Sequence, residues 1–194
     1  MTNKVLWASA CLLAVCSSAY TGTISGKVQC TGVRNSANAV VYVERIEGKS
    51  FPVPKHPVVM NQKGKEFVPS VVVVLVGTTV DFLNSDTLTH NVFTPDDCAG
   101  KFNLGTWPIG EARSHTFVKP CDAVMLCKLH PEMVGYVIVV ETPYFAVTKE
   151  DGSYSMAEVP DGTYEVSTWH ERLKKQTRTV TVRGQTTVDF TLKR

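Results

Sequence analysis

Hydrophobic and polar residues alternate along much of the chain with a period of two, the pattern of strands that bury one face. This alternation runs through residues 23–28 and again through residues 187–192. Between Pro69 and Gly77, the β-branched block Val71–Val76 is too short for a helix. Further strands are predicted over residues 39–43, 79–83, 113–117, 124–126 and 136–140. No segment repeats apolar residues at helical spacing over three turns, so the pattern predicts an all-β fold built from sandwiches.

Composition limits the classes of function that need to be considered. A chain of 194 residues with 43% hydrophobic content can form one large domain or two small ones. Its 20 lysines and arginines nearly balance 18 acidic residues, and no basic run is present. Nucleic-acid binding therefore has little support. Beyond the amino terminus, no apolar run reaches the roughly 20 residues that cross a bilayer.

The amino-terminal segment is typical of a secretory signal. Lys4 precedes an apolar stretch, Val5–Val15, and small residues follow at 17–19. We predict that residues 1–19 are removed and that the mature protein is secreted or periplasmic. A lipoprotein anchor through Cys16 is the less favoured alternative, because the bulky Val15 precedes it where such signals usually place a small residue.

One loop combines three side chains that suit a single copper ion. Cys127, His130 and Met133 are spaced Cys-x2-His-x2-Met, and a second histidine, His90, lies upstream in a strand-rich context. Two imidazoles and a thiolate in a trigonal array, with a weak axial methionine, form the type 1 copper site of electron-transfer proteins. The loop ligands have to be close in sequence because one turn must direct all of them at one ion. The pattern predicts one type 1 copper ion.

These segments resemble the cupredoxin family over residues of about 67–140. The resemblance includes the short gap between the histidine and the methionine, which is similar to that of amicyanin, and three sequences: Asp81-Phe82-Leu83-Asn84-Ser85-Asp86, His90-Asn91-Val92-Phe93 and Cys127-x-x-His130-Pro131-x-Met133. It implies a Greek-key sandwich in which His90, Cys127 and His130 are equatorial ligands and Met133 is the axial ligand.

The same resemblance implies roles for residues near the ligands. Asn91 would form a hydrogen bond across to the ligand loop and keep the site rigid. His130 would lie at the surface and carry electrons in and out, with Leu129, Pro131 and Met133 forming an apolar rim around it. A redox partner, a dehydrogenase or a cytochrome, would dock there through a small, weak interface.

The end of the chain has a different turn chemistry. Two Asp-Gly turns, at 151–152 and 161–162, each lead into a tyrosine. This part resembles the transthyretin-like, carboxypeptidase-regulatory-like sandwich, whose opening strands are instead found at the start of the mature chain, at 22–28 and 39–43. We therefore predict that residues 20–55 and 143–194 form one small sandwich and that residues 56–142 form the cupredoxin domain inserted into it. A tandem order of the two domains is the alternative.

The remaining cysteines leave the disulfide pairing open. Cys98 and Cys121 both lie beside turn residues and are the favoured pair, although Cys30 could pair with either of them. Of the other histidines, His56 shows no ligand spacing, while His115 and the Trp169-His170 pair are predicted to lie at strand surfaces.

Other kinds of metal site fit the sequence less well. A zinc site from Cys98, Cys121, Cys127 and His130 lacks paired Cys-x2-Cys knuckles. A dinuclear copper centre needs two close thiolates in one loop, and a catalytic copper needs further histidines. We therefore predict no enzymatic activity and no small-molecule substrate, and a function as one-electron carrier. The alternative is a copper-binding or carrier protein, or a surface interaction module, whose metal does not cycle.

Overall fold

The computed structural model describes residues 20–194. Its regular secondary structure is almost entirely β-strand. In chain order the strands are β1 (Thr21–Cys30), β2 (Val40–Val43), β3 (Val58–Lys63), β4 (Glu66–Val68), β5 (Val71–Leu75), β6 (Thr79–Asn84), β7 (His90–Phe93), β8 (Asn103–Trp107), β9 (Ala112–Thr116), β10 (Cys121–Leu126), β11 (Val134–Val140), β12 (Phe145–Val147), β13 (Ser153–Pro160), β14 (Gly162–His170), β15 (Leu173–Val182), β16 (Gln185–Thr187) and β17 (Phe190–Leu192). A short 3-10 helix, Asp97–Ala99, precedes β8. The all-β prediction is confirmed.

The predicted signal segment, residues 1–19 with Cys16, lies outside the described residues. Over residues 20–194, no helix has both the length and the apolar character needed to span a membrane.

Two sheets combine strands from both ends of the chain. In the first, β1 pairs antiparallel with β13 and parallel with β16 and β17. The second has the order β12-β2-β14-β15. Ile24, Val41, Val166, Val182 and Phe190 are among the buried residues of the core that these strands share. The segments on either side of residues 58–140 thus form one packed unit, which we call the outer sandwich.

Residues 58–140 supply the strands of two further sheets, which we call the inner sandwich. One has the order β5-β11-β10-β7-β8 and the other β4-β3-β6-β9. The largest fully buried side chains of the core are Trp107, Phe82 and Phe117. Cys127 and Met133 belong to the same buried cluster, so two of the proposed copper ligands are held by the core of this sandwich.

A third apolar layer lies between the two sandwiches. From the outer sandwich it contains Val40, Tyr42 and Trp169, and from the inner sandwich Val71, Ile138 and Val140. Alternate residues of β11 enter different cores, since Val137 and Val139 face the inner core. The sequence of a strand that is buried on both faces is a nearly continuous run of apolar residues. This explains why β5 and β11 show little polar alternation.

The carboxyl-terminal strand differs from the prediction. Residues 187–192 alternate regularly, yet the structure has two short strands, β16 and β17, which both pair with β1. Between them, the Asp189 carboxylate accepts a hydrogen bond from the backbone N–H of Lys27 at 2.7 Å. This side-chain bond replaces a ladder bond, so the strand is interrupted at Asp189.

Two predictions about histidines at strand surfaces are wrong. His115 stacks on Phe102 with ring centroids 3.9 Å apart, and its Nε2 donates to the carbonyl of Ala99 at 3.1 Å. Burial lowers the pKa of His115 below its ordinary value. Trp169 and His170 are both buried, and the Trp169 ring packs 5.0 Å from that of Tyr136. The layer between the sandwiches covers Trp169, whereas Phe102 of the inner sandwich covers one face of the His115 ring.

Cys98 and Cys121 form a disulfide between the 3-10 helix and the first residue of β10. Cys30 and Cys127 are the free cysteines among residues 20–194. The bond closes a loop with a sequence separation of 23 residues. A disulfide that closes a loop of this length stabilises the fold by about 3 kcal/mol, because it lowers the entropy of the unfolded chain.

We therefore expect the double variant Cys98→Ala, Cys121→Ala to lose about 3 kcal/mol of unfolding free energy, measured by urea denaturation. Cys30→Ala serves as a control that keeps the disulfide. An unfolding free energy equal to that of the wild type in the double variant would show that the bond contributes nothing.

Candidate metal centre

Two neighbouring strands bring the predicted ligands to one end of the inner sandwich. His90 is the first residue of β7, and Cys127 directly follows β10, which pairs with β7 through Leu126 and Phe93. The loop from Cys127 to Met133 connects β10 to β11. Because β7 and β10 pair antiparallel, the start of β7 and the end of β10 lie at the same end of the sheet.

Three of the four predicted ligands converge on a single point. Sγ of Cys127 and one ring nitrogen each of His90 and His130 all lie within 4.8 Å of one another. The two Nδ1 atoms are 3.1 Å apart, and Nδ1 of His130 lies 3.8 Å from Sγ. His90 and Cys127 are buried, whereas His130 is half-buried.

Met133 also lies at this end of the sandwich. Its side chain is buried in the same cluster as Cys127, and its backbone N–H donates to the carbonyl of His130 at 3.0 Å. This hydrogen bond closes the turn of the loop, so the backbone of His130 is fixed relative to Met133.

An acidic side chain sets the tautomer of His90. Its Nε2 lies 3.0 Å from Oδ2 of Asp86. Backbone hydrogen bonding from Lys65, and next the contact with His90, hold the pKa of the Asp86 carboxyl below its ordinary value. An ionised carboxylate can only accept, so Nε2 of His90 carries the proton and Nδ1 presents its lone pair.

Asn91 joins three segments around the ligands. Its Oδ1 accepts from the backbone N–H of Lys128, in the ligand loop, at 3.2 Å. Its Nδ2 donates to Oδ1 of Asn103 at 2.8 Å and to the carbonyl of Gly105 at 2.6 Å. Its backbone N–H points at Sγ of Cys127 at 3.5 Å.

Exposed apolar side chains lie in the loops beside the ligands, together with the exposed Lys128 and Glu132. Leu129 is 51% exposed beside His130, and Leu88 and Ile109 are 41% and 54% exposed. The Asn84 side chain donates to the carbonyls of Leu88 and Trp107, which ties together the loops that carry Leu88 and Ile109. Met133, which was predicted to belong to an apolar rim, is instead buried, so we use the name apolar rim for Leu88, Ile109, Leu129 and Pro131.

The donor set fits copper. A thiolate and two imidazoles, with a buried thioether close by in the chain, are the soft and intermediate ligands that copper prefers. Calcium and magnesium would require oxygen ligands, and none of the three convergent donor atoms is an oxygen. The group formed by His90, Cys127 and His130 is therefore compatible with copper.

Solved structures of copper proteins are similar to part of this chain. A reduced mutant of amicyanin is 26% identical over 45% of this chain and 85% of its own, with a TM-score of 0.42. A purple cupredoxin from Nitrosopumilus maritimus is 25% identical over 42% of this chain and 98% of its own, with a TM-score of 0.39. A copper-containing nitrite reductase from Thermus scotoductus SA-01 is 29% identical over 51% of this chain but only 25% of its own, with a TM-score of 0.41.

No family model matches the chain, and no curated protein matches it. Because the TM-scores are low, we draw no functional conclusion from the solved structures.

Sequence reasoning assigned no role to Asp86. It stands four residues before His90, and its carboxylate is the one that contacts the imidazole. The available signal was an acidic residue close in sequence to a candidate ligand, since ligating histidines commonly donate their second ring N–H to a carboxylate.

Proposed function

We propose that this chain is an exported type 1 copper protein that acts as a one-electron carrier. The observation that supports this most strongly is the convergence of one sulfur and two imidazole nitrogens within 4.8 Å of one another. Bound copper would supply a one-electron redox couple. His90, Cys127 and His130 would hold it as equatorial ligands, and Met133 would hold it as a weak axial ligand.

The protein's own contribution is to fix the ligands before the metal arrives. His90 is completely buried and hydrogen-bonded, and Asn91 braces the loop. A rigid site changes little between two oxidation states, which favours rapid electron exchange. A carrier is also a better match than an enzyme, because four protein ligands leave no open position for a substrate.

His130 is half-buried, whereas the other three proposed ligands are buried, so its ring would connect the metal to solvent. The apolar rim around His130 would support brief docking of a redox partner protein, through a small interface of low affinity. The exposed Lys128 and Glu132 lie in the same loop and would be near a docked partner.

We propose that residues 20–55 and 143–194 form a transthyretin-like sandwich that carries residues 56–142 as an inserted cupredoxin domain. The pairing of β1 with β13, and of β2 with β12 and β14, supports this nested order over a tandem one. The disulfide between Cys98 and Cys121 supports an extracytoplasmic location, where such bonds persist.

Copper titration followed by voltammetry tests the proposal. The mature protein should bind one Cu(II) with an intense visible charge-transfer band and show reversible one-electron reduction. If copper binds without a reversible couple, the protein is a copper-binding module whose metal does not cycle. If Cu(II) binds without the visible band, the ligand assignment itself is wrong.

A further inference from the structure

The carboxylate of Asp86 is held in place from several directions. Its Oδ2 accepts from the backbone N–H of Lys65 at 2.9 Å and contacts Nε2 of His90 at 3.0 Å. Its Oδ1 accepts from the N–H of Thr87 at 3.0 Å. The Asp86 backbone N–H donates to Asn84, which is itself buried, at 2.8 Å. The carboxylate is therefore a fixed charge rather than a mobile surface group.

Asp86 is also shielded from water. Its side chain is only 14% exposed and that of His90 is 0% exposed. Solvent screens the charge of a largely buried carboxylate less than it screens that of an exposed one. By comparison, Asp97 of the same sandwich is 87% exposed and pairs with Lys101 at the surface.

We propose that Asp86 is the positioning residue that sets the reduction potential of this site. The inference rests on the proposed function. Asp86 fixes the proton of His90 on Nε2 and so directs the Nδ1 lone pair at the metal position. Its negative charge also makes the imidazole a stronger electron donor.

The sign of the effect follows from charge. A centre with two neutral imidazoles and one thiolate carries one more positive charge when copper is oxidised than when it is reduced. A fixed negative charge nearby stabilises the oxidised form more, and so lowers the reduction potential. Removing that charge should therefore raise the potential.

The variant Asp86→Asn tests this without removing the hydrogen-bond acceptor. We expect its copper to favour the reduced form about tenfold more than the wild type does at the same applied potential, which corresponds to about 59 mV for one electron. Asp97→Asn removes an equal charge from an exposed position of the same sandwich. The control should leave the potential unchanged, because solvent and salt screen that position.

Nuclear magnetic resonance of the diamagnetic wild-type protein gives a second readout that needs no variant. The Nε2 proton of His90 should be visible and should exchange slowly with water, because it is bonded to Asp86 in a buried position. Rapid exchange of this proton would overturn the proposal even if Asp86→Asn did not fold.

An unchanged reduction potential in a blue, folded Asp86→Asn protein would refute this inference but not the proposed function. Equal shifts of the potential in Asp86→Asn and Asp97→Asn would do the same. A wild-type protein without a reversible copper couple would instead refute the proposed function. The two failures are therefore distinguishable.

Discussion

Replacement of Cys127 by serine is expected to abolish the intense visible absorption of the copper-loaded protein. The band arises from charge transfer between a thiolate and Cu(II), and a serine hydroxyl cannot supply it. Cys127 is buried beside the two histidines, with Sγ 3.8 Å from Nδ1 of His130. Optical spectra of copper-loaded wild type and variant, at equal protein concentration, measure the effect.

The matched control is Cys30→Ser. Cys30 is the other free cysteine among the described residues, and it lies in the outer sandwich beside Leu192. Burial raises the pKa of its thiol, so it is a weak metal ligand at neutral pH. We expect this variant to keep the colour of the wild type. Loss of colour in Cys30→Ser, or an unchanged spectrum in Cys127→Ser, would contradict the ligand assignment.

The second large effect is expected for Asn91→Ala. The variant leaves the backbone N–H of Lys128 and the carbonyl of Gly105 without their side-chain partner, while the backbone N–H aimed at Cys127 remains. We expect a loss of about 3 kcal/mol of unfolding free energy. Copper affinity should fall about 10- to 100-fold, as is typical when a group that supports a ligand is removed.

Urea denaturation of the copper-free protein and competition with a chelator measure these two losses separately. Asn35→Ala is the control, because Asn35 is exposed and bonds only within its own turn, to Ala37. We expect a change within about 0.5 kcal/mol there. If the unfolding free energy and the copper affinity of Asn91→Ala equal those of the wild type, Asn91 does not brace the ligand loop.

The ligand loop could be predicted because its residues are close in sequence. Cys127, His130 and Met133 lie in one turn, so their spacing alone indicates a shared target. Placing His90 beside them required the additional expectation that its strand adjoins β10. Asp86 was missed, because an acidic residue in a polar loop is usually solvated and nothing in the sequence shows that it is shielded.

Contacts between the two sandwiches could not be predicted from local patterns. The alternation around Trp169 indicates which face of the strand is apolar, but not whether a second sheet covers the other face. Trp169 packs on Tyr136, from a strand that is distant in sequence. Burial of this kind depends on how sheets stack on one another. The alternation of apolar and polar residues along a strand does not predict that stacking.

The central claim is that His90, His130 and Cys127 bind one copper ion together. X-ray absorption at the copper edge of the loaded wild-type protein tests this most directly, since it counts the atoms that surround the metal by type. We predict one short bond to sulfur and two bonds to imidazole nitrogen. A copper environment made of nitrogen and oxygen alone, with no short sulfur bond, would contradict the account.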